Sequence, residues 1–301
     1  MLVPWARKVE AESGGRIAIT IYPALQLGGQ APQLIDQARD GVVDLVWTLT
    51  GYTPGRFPRI EVFEMPFINA DPVTMNLALY DFARRHPEEF SDYKLIAAFV
   101  HAGQALHSRR PVRQTTDLHG MKIRIPSRMS AWMVEAMGGV PLGAPVSKIP
   151  ELLSKGVIDA ALIPFEVVKS LRVDELVDFH ITLDRADSDR FNTQVFVIAM
   201  NLDRYRSLPP DLRAVIDNNS GEGTARWLGE LWMANEEPGR VLAAESGELF
   251  RLPADQVELL RAEVEPVVRQ RWFDLVRAQG LDGPALLVEA RGLIEARRRQ
   301  R

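Results

Sequence analysis

Apolar and polar positions follow the same order twice along the chain. Residues 15–23 and 120–126 (GMKIRIP) both alternate β-branched residues with others and end at a proline, which is typical of a strand. Helical stretches follow each of them, and then comes a glycine turn that runs into a buried strand, at 40–47 and 155–164. The helical stretches are 31–39 in the first copy, and 130–137 and 147–153 in the second. This order predicts βαβ units with parallel sheets, in two similar α/β lobes.

Two further strands and a long helix complete the predicted architecture. Residues 94–101 form an apolar strand that is a candidate crossing between lobes, and residues 191–201 form a β-rich run that returns to the first lobe. Residues 221–247 form a long helix that Pro238 bends, and two more helices follow Pro253.

The predicted elements divide the chain into two discontinuous lobes. Residues 1–101 and 190–230 form the first lobe, and residues 102–189 and 231–301 form the second. A chain of 301 residues agrees with about two domains.

Composition excludes several classes of protein. Hydrophobic residues make up 46% and charged residues 25%, which is too apolar for a disordered chain. The net charge of -4 argues against nucleic-acid binding, and the apolar runs are too short for a helix inserted in a membrane. With no cysteine, the chain has no disulfide, thiol nucleophile or cysteine metal site.

The N-terminal residues leave the cellular location open. Residues 1–15 predict a helix with Trp5 and Val9 on one face, and they contain no signal peptide. One interpretation is a cytosolic protein with an N-terminal helix. The other is that the natural coding region extends upstream, with a signal peptide and one further strand.

The sequence lacks the common catalytic and cofactor motifs. It contains no dinucleotide-binding or P-loop glycine pattern, no nucleophile elbow and no zinc-protease motif. The five histidines show no metal-ligand spacing. Of His101 and His107, we expect one to be a hydrogen-bonded pocket or core residue and the other to lie on the surface. We therefore predict no enzyme activity, no catalytic residue, no metal and no cofactor.

Arg124 is the strongest candidate for ligand recognition. It lies at the C-terminal end of its strand, where open α/β sheets bind ligands, and its planar guanidinium suits a carboxylate. The alternative is that it faces solvent as Lys122 does, and alternation alone does not separate the two residues. The full set of candidate substrate-binding residues is Arg124, Trp47, Thr48, Tyr52, His101, Gln104, Phe165, Glu166 and Asn192. The three aromatic residues Trp47, Tyr52 and Phe165 are predicted either to belong to the core or to line an apolar pocket.

Several motifs, taken in order, resemble the solute-binding subunits of TRAP transporters, the DctP-like family. They are 13–16 (SGGR), 22–28 (YPALQLG), 40–44 (DGVVD), 63–66 (FEMP), 120–126 (GMKIRIP), 139–141 (GVP), 156–159 (GVID) and 201–212, followed by the long helix. The resemblance implies a two-lobed, periplasmic-binding-protein-like α/β fold with a ligand cleft and a long bridging helix. It also implies a periplasmic location, a small organic acid as ligand, and delivery to the membrane subunits of a TRAP permease. In this family the arginine of the strand motif, here Arg124, grips the substrate carboxylate.

Two departures from the family pattern bear on the ligand. Gln104 stands in the region where many members have a second arginine, and residues 161–165 (ALIPF) lack the asparagine of sialic-acid members. We therefore expect an acid with an apolar or aromatic body rather than sialic acid. Arg128 is expected to be solvated or at the rim of the site. The alternative functions are a sensory subunit that presents its ligand to a receptor, and an enzyme on a related α/β scaffold.

Overall fold

The computed structural model describes residues 1–185 and 188–300, which form eleven α-helices and nine β-strands. The helices are α1 (Leu2–Glu12), α2 (Leu34–Arg39), α3 (Pro72–Arg85), α4 (Arg128–Ala136), α5 (Ile149–Ser154), α6 (Val168–Leu171), α7 (Leu202–Ser207), α8 (Pro210–Asn218), α9 (Glu222–Ser246), α10 (Ala254–Arg277) and α11 (Gly283–Arg299). The strands are β1 (Leu45–Leu49), β2 (Tyr93–Val100), β3 (Ala105–Ser108), β4 (Lys122–Ile125), β5 (Val140–Gly143), β6 (Ala160–Ile163), β7 (Phe179–Leu183), β8 (Val195–Asn201) and β9 (Glu248–Leu252).

The first sheet contains three strands in the order β1-β8-β2, and all its pairs are antiparallel. Strand β8 returns to the first sheet as the sequence predicts, and it places Ile198 opposite Trp47. The parallel sheet predicted for this lobe is wrong. Strand β8 occupies the central position of the sheet. It comes from a distant part of the chain and is antiparallel to both of its neighbours.

The second sheet contains six strands in the order β5-β4-β6-β3-β7-β9. Strand β4 is parallel to β5 and β6, as the second βαβ copy predicts, whereas β3 is antiparallel to β6 and β7. Helix α4 begins directly after β4, because the Ser127 side chain caps its first turn by accepting a hydrogen bond from the Ser130 amide. This cap positions the end of β4, and with it Arg124, beside the first turn of α4.

The strand predicted at residues 15–23 is wrong. Ile17, Ile19 and Ile21 do pack against an apolar cluster that includes Trp5 and Val9, so their alternation reflects real burial. The backbone of these residues nevertheless belongs to no strand, and the Ile19 amide donates to the Glu10 carboxylate instead. An alternating pattern predicts which side chains are buried, but a strand also needs a neighbouring backbone with which to form hydrogen bonds.

Helix α9 contacts both halves of the molecule through two glycines. A Cβ at Gly229 would lie 2.7 Å from the Val73 Cα in α3, and a Cβ at Gly239 would lie 2.1 Å from the Phe165 carbonyl oxygen. Both approaches are too close for any side chain. Pro238 lies inside the helix next to the second contact, so α9 bridges the two lobes as the family resemblance implies.

The division into lobes remains a prediction. Helix α10 packs on α4 of the second lobe, whereas α11 packs on α3, which the prediction places in the first lobe. One apolar cluster includes Phe63 near the first sheet and Ile123 of the second. Across residues 1–185 and 188–300, none of the helices combines the length and apolar character that crossing a membrane requires.

Candidate carboxylate-binding site

The Arg124 side chain is buried, whereas Lys122 on the same strand is exposed. Arg124 retains 2% of its accessible surface. Its Nε donates to the Ala144 carbonyl oxygen at 2.9 Å, and its Nη1 donates to the Leu162 carbonyl oxygen at 3.2 Å. The structure thus separates two residues that alternation alone leaves equivalent.

The buried charge of Arg124 has no counter-charge in the described part of the chain. Its partners are two neutral carbonyl groups and the Tyr52 side chain. Burial lowers the pKa of Arg124 to about 10, while the neighbouring Tyr52 acts in the opposite direction, so the group stays protonated at neutral pH. A buried charge without a partner is unfavourable. An anionic ligand would remove that cost.

Arg190 shows the contrasting arrangement. It is equally buried, but its guanidinium pairs with Glu236 at 2.8 Å and with Asp189. The same guanidinium lies 4.8 Å from the centre of the Phe165 ring. Its charge is therefore balanced within the protein, and Arg124 is the better candidate for an incoming carboxylate.

Tyr52 lies beside Arg124 and links the turn after β1 to the segment after β5. It lies in the 3₁₀ turn after β1, and its hydroxyl accepts a hydrogen bond of 3.3 Å from the Val146 amide of the second lobe. In the same turn, a Cβ at Gly51 would lie 2.5 Å from the Ser127 Cβ. The absence of a side chain at Gly51 allows this contact. The turn after β1 therefore contacts the segments that follow β4 and β5, next to Arg124.

Gln104 and Asn192 belong to one buried polar cluster. Ser130 Oγ accepts hydrogen bonds from Asn192 Nδ2 at 3.2 Å and from Gln194 Nε2 at 3.1 Å, and it donates to Gln104 Oε1 at 3.4 Å. We call Gln104, Ser130, Asn192 and Gln194 the Ser130 cluster. Neither Ser130 nor Gln194 is among the residues predicted from the sequence. The polar run 192–194 directly before an apolar strand was the available signal for Gln194.

His101 is a buried, neutral residue beside this cluster. Its Nδ1 accepts a hydrogen bond from the Gly103 amide at 2.8 Å, and its carbonyl oxygen accepts from Thr193 Oγ1 at 2.9 Å. Burial, together with the charges of Arg190 and Arg124, lowers the pKa of His101 to about 3.

The expectation that one of the two histidines lies on the surface is wrong. His107 lies inside β3 and is fully buried, and its Nδ1 is 2.7 Å from His180 Nδ1. Burial places the pKa of His107 well below its ordinary value. The pairing partner lies on β7, which sequence periodicity does not reveal.

Trp47 and Thr48 lie on β1, with neighbouring side chains on opposite faces. The Trp47 ring lies 6.2 Å from the Phe99 ring and 5.9 Å from the Phe196 ring, whereas Thr48 is buried opposite Val197. These contacts give Trp47 a packing role. Its contact with a ligand, like that of Thr48, stays a prediction.

Phe165 and Glu166 are anchored to the long helix. Their backbone amides donate to the Glu236 carboxylate at 3.2 and 3.1 Å. Phe165 is fully buried between the guanidinium of Arg190 and the ring of His107, 5.0 Å away. Burial, with the Glu236 carboxylate nearby, raises the pKa of Glu166 to about 8.

Arg128 is held in an ion pair rather than freely solvated, which corrects that part of the expectation, and its place at the rim of the site stays a prediction. Its guanidinium donates twice to the Glu61 carboxylate, with 2.6 Å between Nε and Oε1. Its side chain keeps 18% of its accessible surface. The partner lies 67 residues earlier in the chain, so no local pattern predicts the pair.

In residues 1–185 and 188–300, no group of three or more histidines and carboxylates is placed to hold a metal ion.

Residues 1–274 match the family model described as bacterial extracellular solute-binding protein, family 7 (DctP). The chain belongs to the DctP family. This membership and the two-lobed α/β fold confirm the family and fold class predicted from the sequence motifs.

Solved relatives of this DctP-family protein are TRAP solute-binding proteins with organic acids. One from Rhodoferax ferrireducens, in complex with copurified benzoate, is 42% identical with a TM-score of 0.96, over 99% of this chain and 93% of that chain. One from a marine metagenome, in complex with metahydroxyphenylacetate, is 40% identical with a TM-score of 0.95, over 98% and 93%. The outer membrane transporter protein TsaT of Comamonas testosteroni is 24% identical over 94% of this chain and 83% of that protein.

Proposed function

We propose that this DctP-family protein binds a monocyclic aromatic carboxylate between its lobes and delivers it to a TRAP-type membrane permease. The observation that carries the proposal is the buried, protonated Arg124, which has no counter-charge among the described residues. A ligand carboxylate would accept two parallel hydrogen bonds from this guanidinium. The proposed location is extracytoplasmic, in agreement with the family description.

The aromatic character of the ligand is supported by two solved relatives at about 40% identity. These proteins hold benzoate and metahydroxyphenylacetate. In this chain Tyr52, from the first lobe, lies beside Arg124 and offers a ring next to the carboxylate position. We therefore propose that Tyr52 contacts the bound acid together with Arg124, and that His101, Gln104 and Asn192 line the same site.

The test is a binding titration with benzoate and its neutral analogue benzamide. We expect benzoate to bind with one molecule per chain and to raise the melting temperature, because a ligand that binds only the folded state stabilises it. Benzamide, which has the same ring and no charge, should not bind. Equal binding of the two would contradict the carboxylate site.

Delivery and catalysis are tested separately. Uptake of labelled benzoate into vesicles that contain a cognate permease should require this protein, and the sensory alternative predicts no such uptake. Recovery of unchanged benzoate after prolonged incubation is the expected result for a binding protein. Conversion of the acid to a product would support the enzyme alternative.

A further inference from the structure

Asn192 and Gln194, two members of the Ser130 cluster, have used all of their amide donors. Gln194 Nε2 donates to Ser130 Oγ at 3.1 Å and to the Thr193 carbonyl oxygen at 2.8 Å. Asn192 Nδ2 donates to Ser130 Oγ and to the Glu64 carbonyl oxygen, both at 3.2 Å. Each amide group has two N–H donors, so neither side chain has a donor left for another partner.

The same bonds determine which way the amide oxygens point. Turning the Gln194 amide over would bring its oxygen against the Thr193 carbonyl oxygen, and turning Asn192 over would do the same at Glu64. Both reversed arrangements place two acceptors together, so the orientation is set by the surrounding backbone.

Two acceptors are consequently left buried without a partner. Asn192 Oδ1 and Gln194 Oε1 have no hydrogen bond among the described residues, although both side chains retain 1% or less of their accessible surface. Leaving a buried acceptor unsatisfied is costly. A hydrogen-bond donor brought in by a ligand would relieve that cost.

The cluster and Arg124 lie on either side of the same strand. Arg124 of β4 donates to the Leu162 carbonyl oxygen of β6, while Gln104 precedes β3, whose first residue pairs with Ile163 of β6. Strands β4 and β3 are thus separated by one strand, or roughly 10 Å at the usual spacing. That separation suits the two ends of a small acid.

We propose that the Ser130 cluster is a second ligand subsite that accepts a hydroxyl hydrogen from the bound acid. The inference rests on the proposed function, because it takes the carboxylate to be held by Arg124. The ligand class is then a hydroxylated monocarboxylic acid. A second carboxylate is disfavoured against Asn192 Oδ1 and Gln194 Oε1, because both atoms are acceptors and would repel it.

The experiment compares benzoate with the 3- and 4-hydroxybenzoates and the corresponding methoxybenzoates by calorimetry. At least one hydroxybenzoate should bind about tenfold more tightly than benzoate, because one extra hydrogen bond is formed and a buried acceptor is satisfied. The corresponding methoxybenzoate, which has no donor, should show no such gain. Gln194→Met should remove the preference while the affinity for benzoate stays within about threefold. The control is Gln270→Met, on an exposed position of α10. It should change neither the preference for the hydroxybenzoate nor the affinity for benzoate.

The outcomes separate this inference from the proposed function. If benzoate binds but no hydroxybenzoate gains more than threefold, or if the preference survives in Gln194→Met, the subsite is wrong and the carboxylate site stands. If none of the acids binds at millimolar concentration, both are wrong. If Gln194→Met does not fold, Ser130→Ala replaces it. This variant removes the hydroxyl that both amide groups share as a hydrogen-bond partner and should reduce the preference in the same way.

Discussion

Arg128 and Glu61 form a two-point ion pair, with 2.6 Å between Arg128 Nε and Glu61 Oε1. Arg128 begins helix α4 of the second lobe, and Glu61 lies in the 3₁₀ turn Ile60–Glu64, which packs against α3 and β8 of the first lobe. The Trp132 ring lies 5.9 Å from the guanidinium. Because the pair can form only when these segments approach, we expect it to favour closure of the two lobes on a ligand.

Removing this pair should weaken ligand binding through closure. Arg128→Ala leaves Glu61 mostly buried without its partner, and breaking a buried pair costs about 3–5 kcal/mol, less where solvent reaches it. We expect the affinity for benzoate to fall by about tenfold to a hundredfold. The unliganded variant should also show a larger radius of gyration by small-angle scattering. The double variant Arg128→Ala/Glu61→Gln should recover part of the loss. Unchanged affinity in Arg128→Ala would show that the pair does not contribute to closure.

Arg124 should contribute more to binding than any other residue of the site. In Arg124→Ala the ligand carboxylate would be buried without its counter-charge, so affinity should fall by roughly two to nearly four powers of ten. Arg124→Lys should also bind poorly, because an ammonium group does not reproduce the planar fork. The measurement is calorimetric titration with benzoate after folding has been checked. Lys122→Ala, two residues away and exposed, is the matched control and should bind as the parent does. Binding by Arg124→Ala within threefold of the parent would contradict the assignment.

Glu64 should make the protein less stable as the pH rises. Burial, and then the neighbouring Glu61 carboxylate, raises the pKa of Glu64 from 4.5 to about 8. Between these values the folded state binds more protons than the unfolded state, so the free energy of unfolding contributed by this group falls with rising pH. Glu64→Gln cannot ionise and should escape this loss.

The check on Glu64 is thermal unfolding of parent and variant at pH 5 and pH 8. The stability of Glu64→Gln relative to the parent should increase with pH, by at most about 1.4 kcal/mol per pH unit. Glu237→Gln, on an exposed position of α9, should follow the parent. Parallel pH profiles for Glu64→Gln and the parent would mean that Glu64 is ionised in the folded protein.

Gly239 should tolerate no side chain. A Cβ there would lie 2.1 Å from the Phe165 carbonyl oxygen, and backbone must move to make room. Overpacking of this kind costs about 1–3 kcal/mol or more, so Gly239→Ala should lower the free energy of unfolding by at least that amount. Gly292, within α11, has open space around its Cβ position. Gly292→Ala should therefore stabilise the protein by about 0.5–1 kcal/mol. Chemical denaturation measures both, and equal effects would contradict the close approach of α9 to residue 165.

The local sequence pattern was sufficient to predict most of the helices and strands and to identify the family. The helix at Leu2–Glu12, strand β4, and the long helix with Pro238 inside it all follow from periodicity, proline and glycine positions. These features depend on residues a few positions apart, so the sequence displays them directly. The order of the family motifs likewise lies in the linear chain, and the match over residues 1–274 confirms it.

The balance of charges around the site was decided by the tertiary structure. Arg124, Arg128 and Arg190 look alike in the sequence, but Arg128 pairs with Glu61, 67 residues away, and Arg190 pairs with Glu236, 46 residues away. Of these three, only Arg124 is left without a carboxylate among the residues that the structure describes. Charge compensation depends on which residues meet in space, and local periodicity carries no information about that.

The same distinction between local pattern and tertiary contact holds for strand pairing and side-chain burial in the rest of the chain. The sequence by itself determined that residues 17–21 alternate, that the 120–126 strand carries an arginine at its end, and that polar residues precede β8. The fold decided that β8 takes the centre of the first sheet, that residues 15–23 find no strand to pair with, and that Ser130 brings Asn192 and Gln194 together. The reason is physical: propensity and alternation act over a few residues, whereas pairing, burial and hydrogen-bond satisfaction depend on segments that only folding brings into contact.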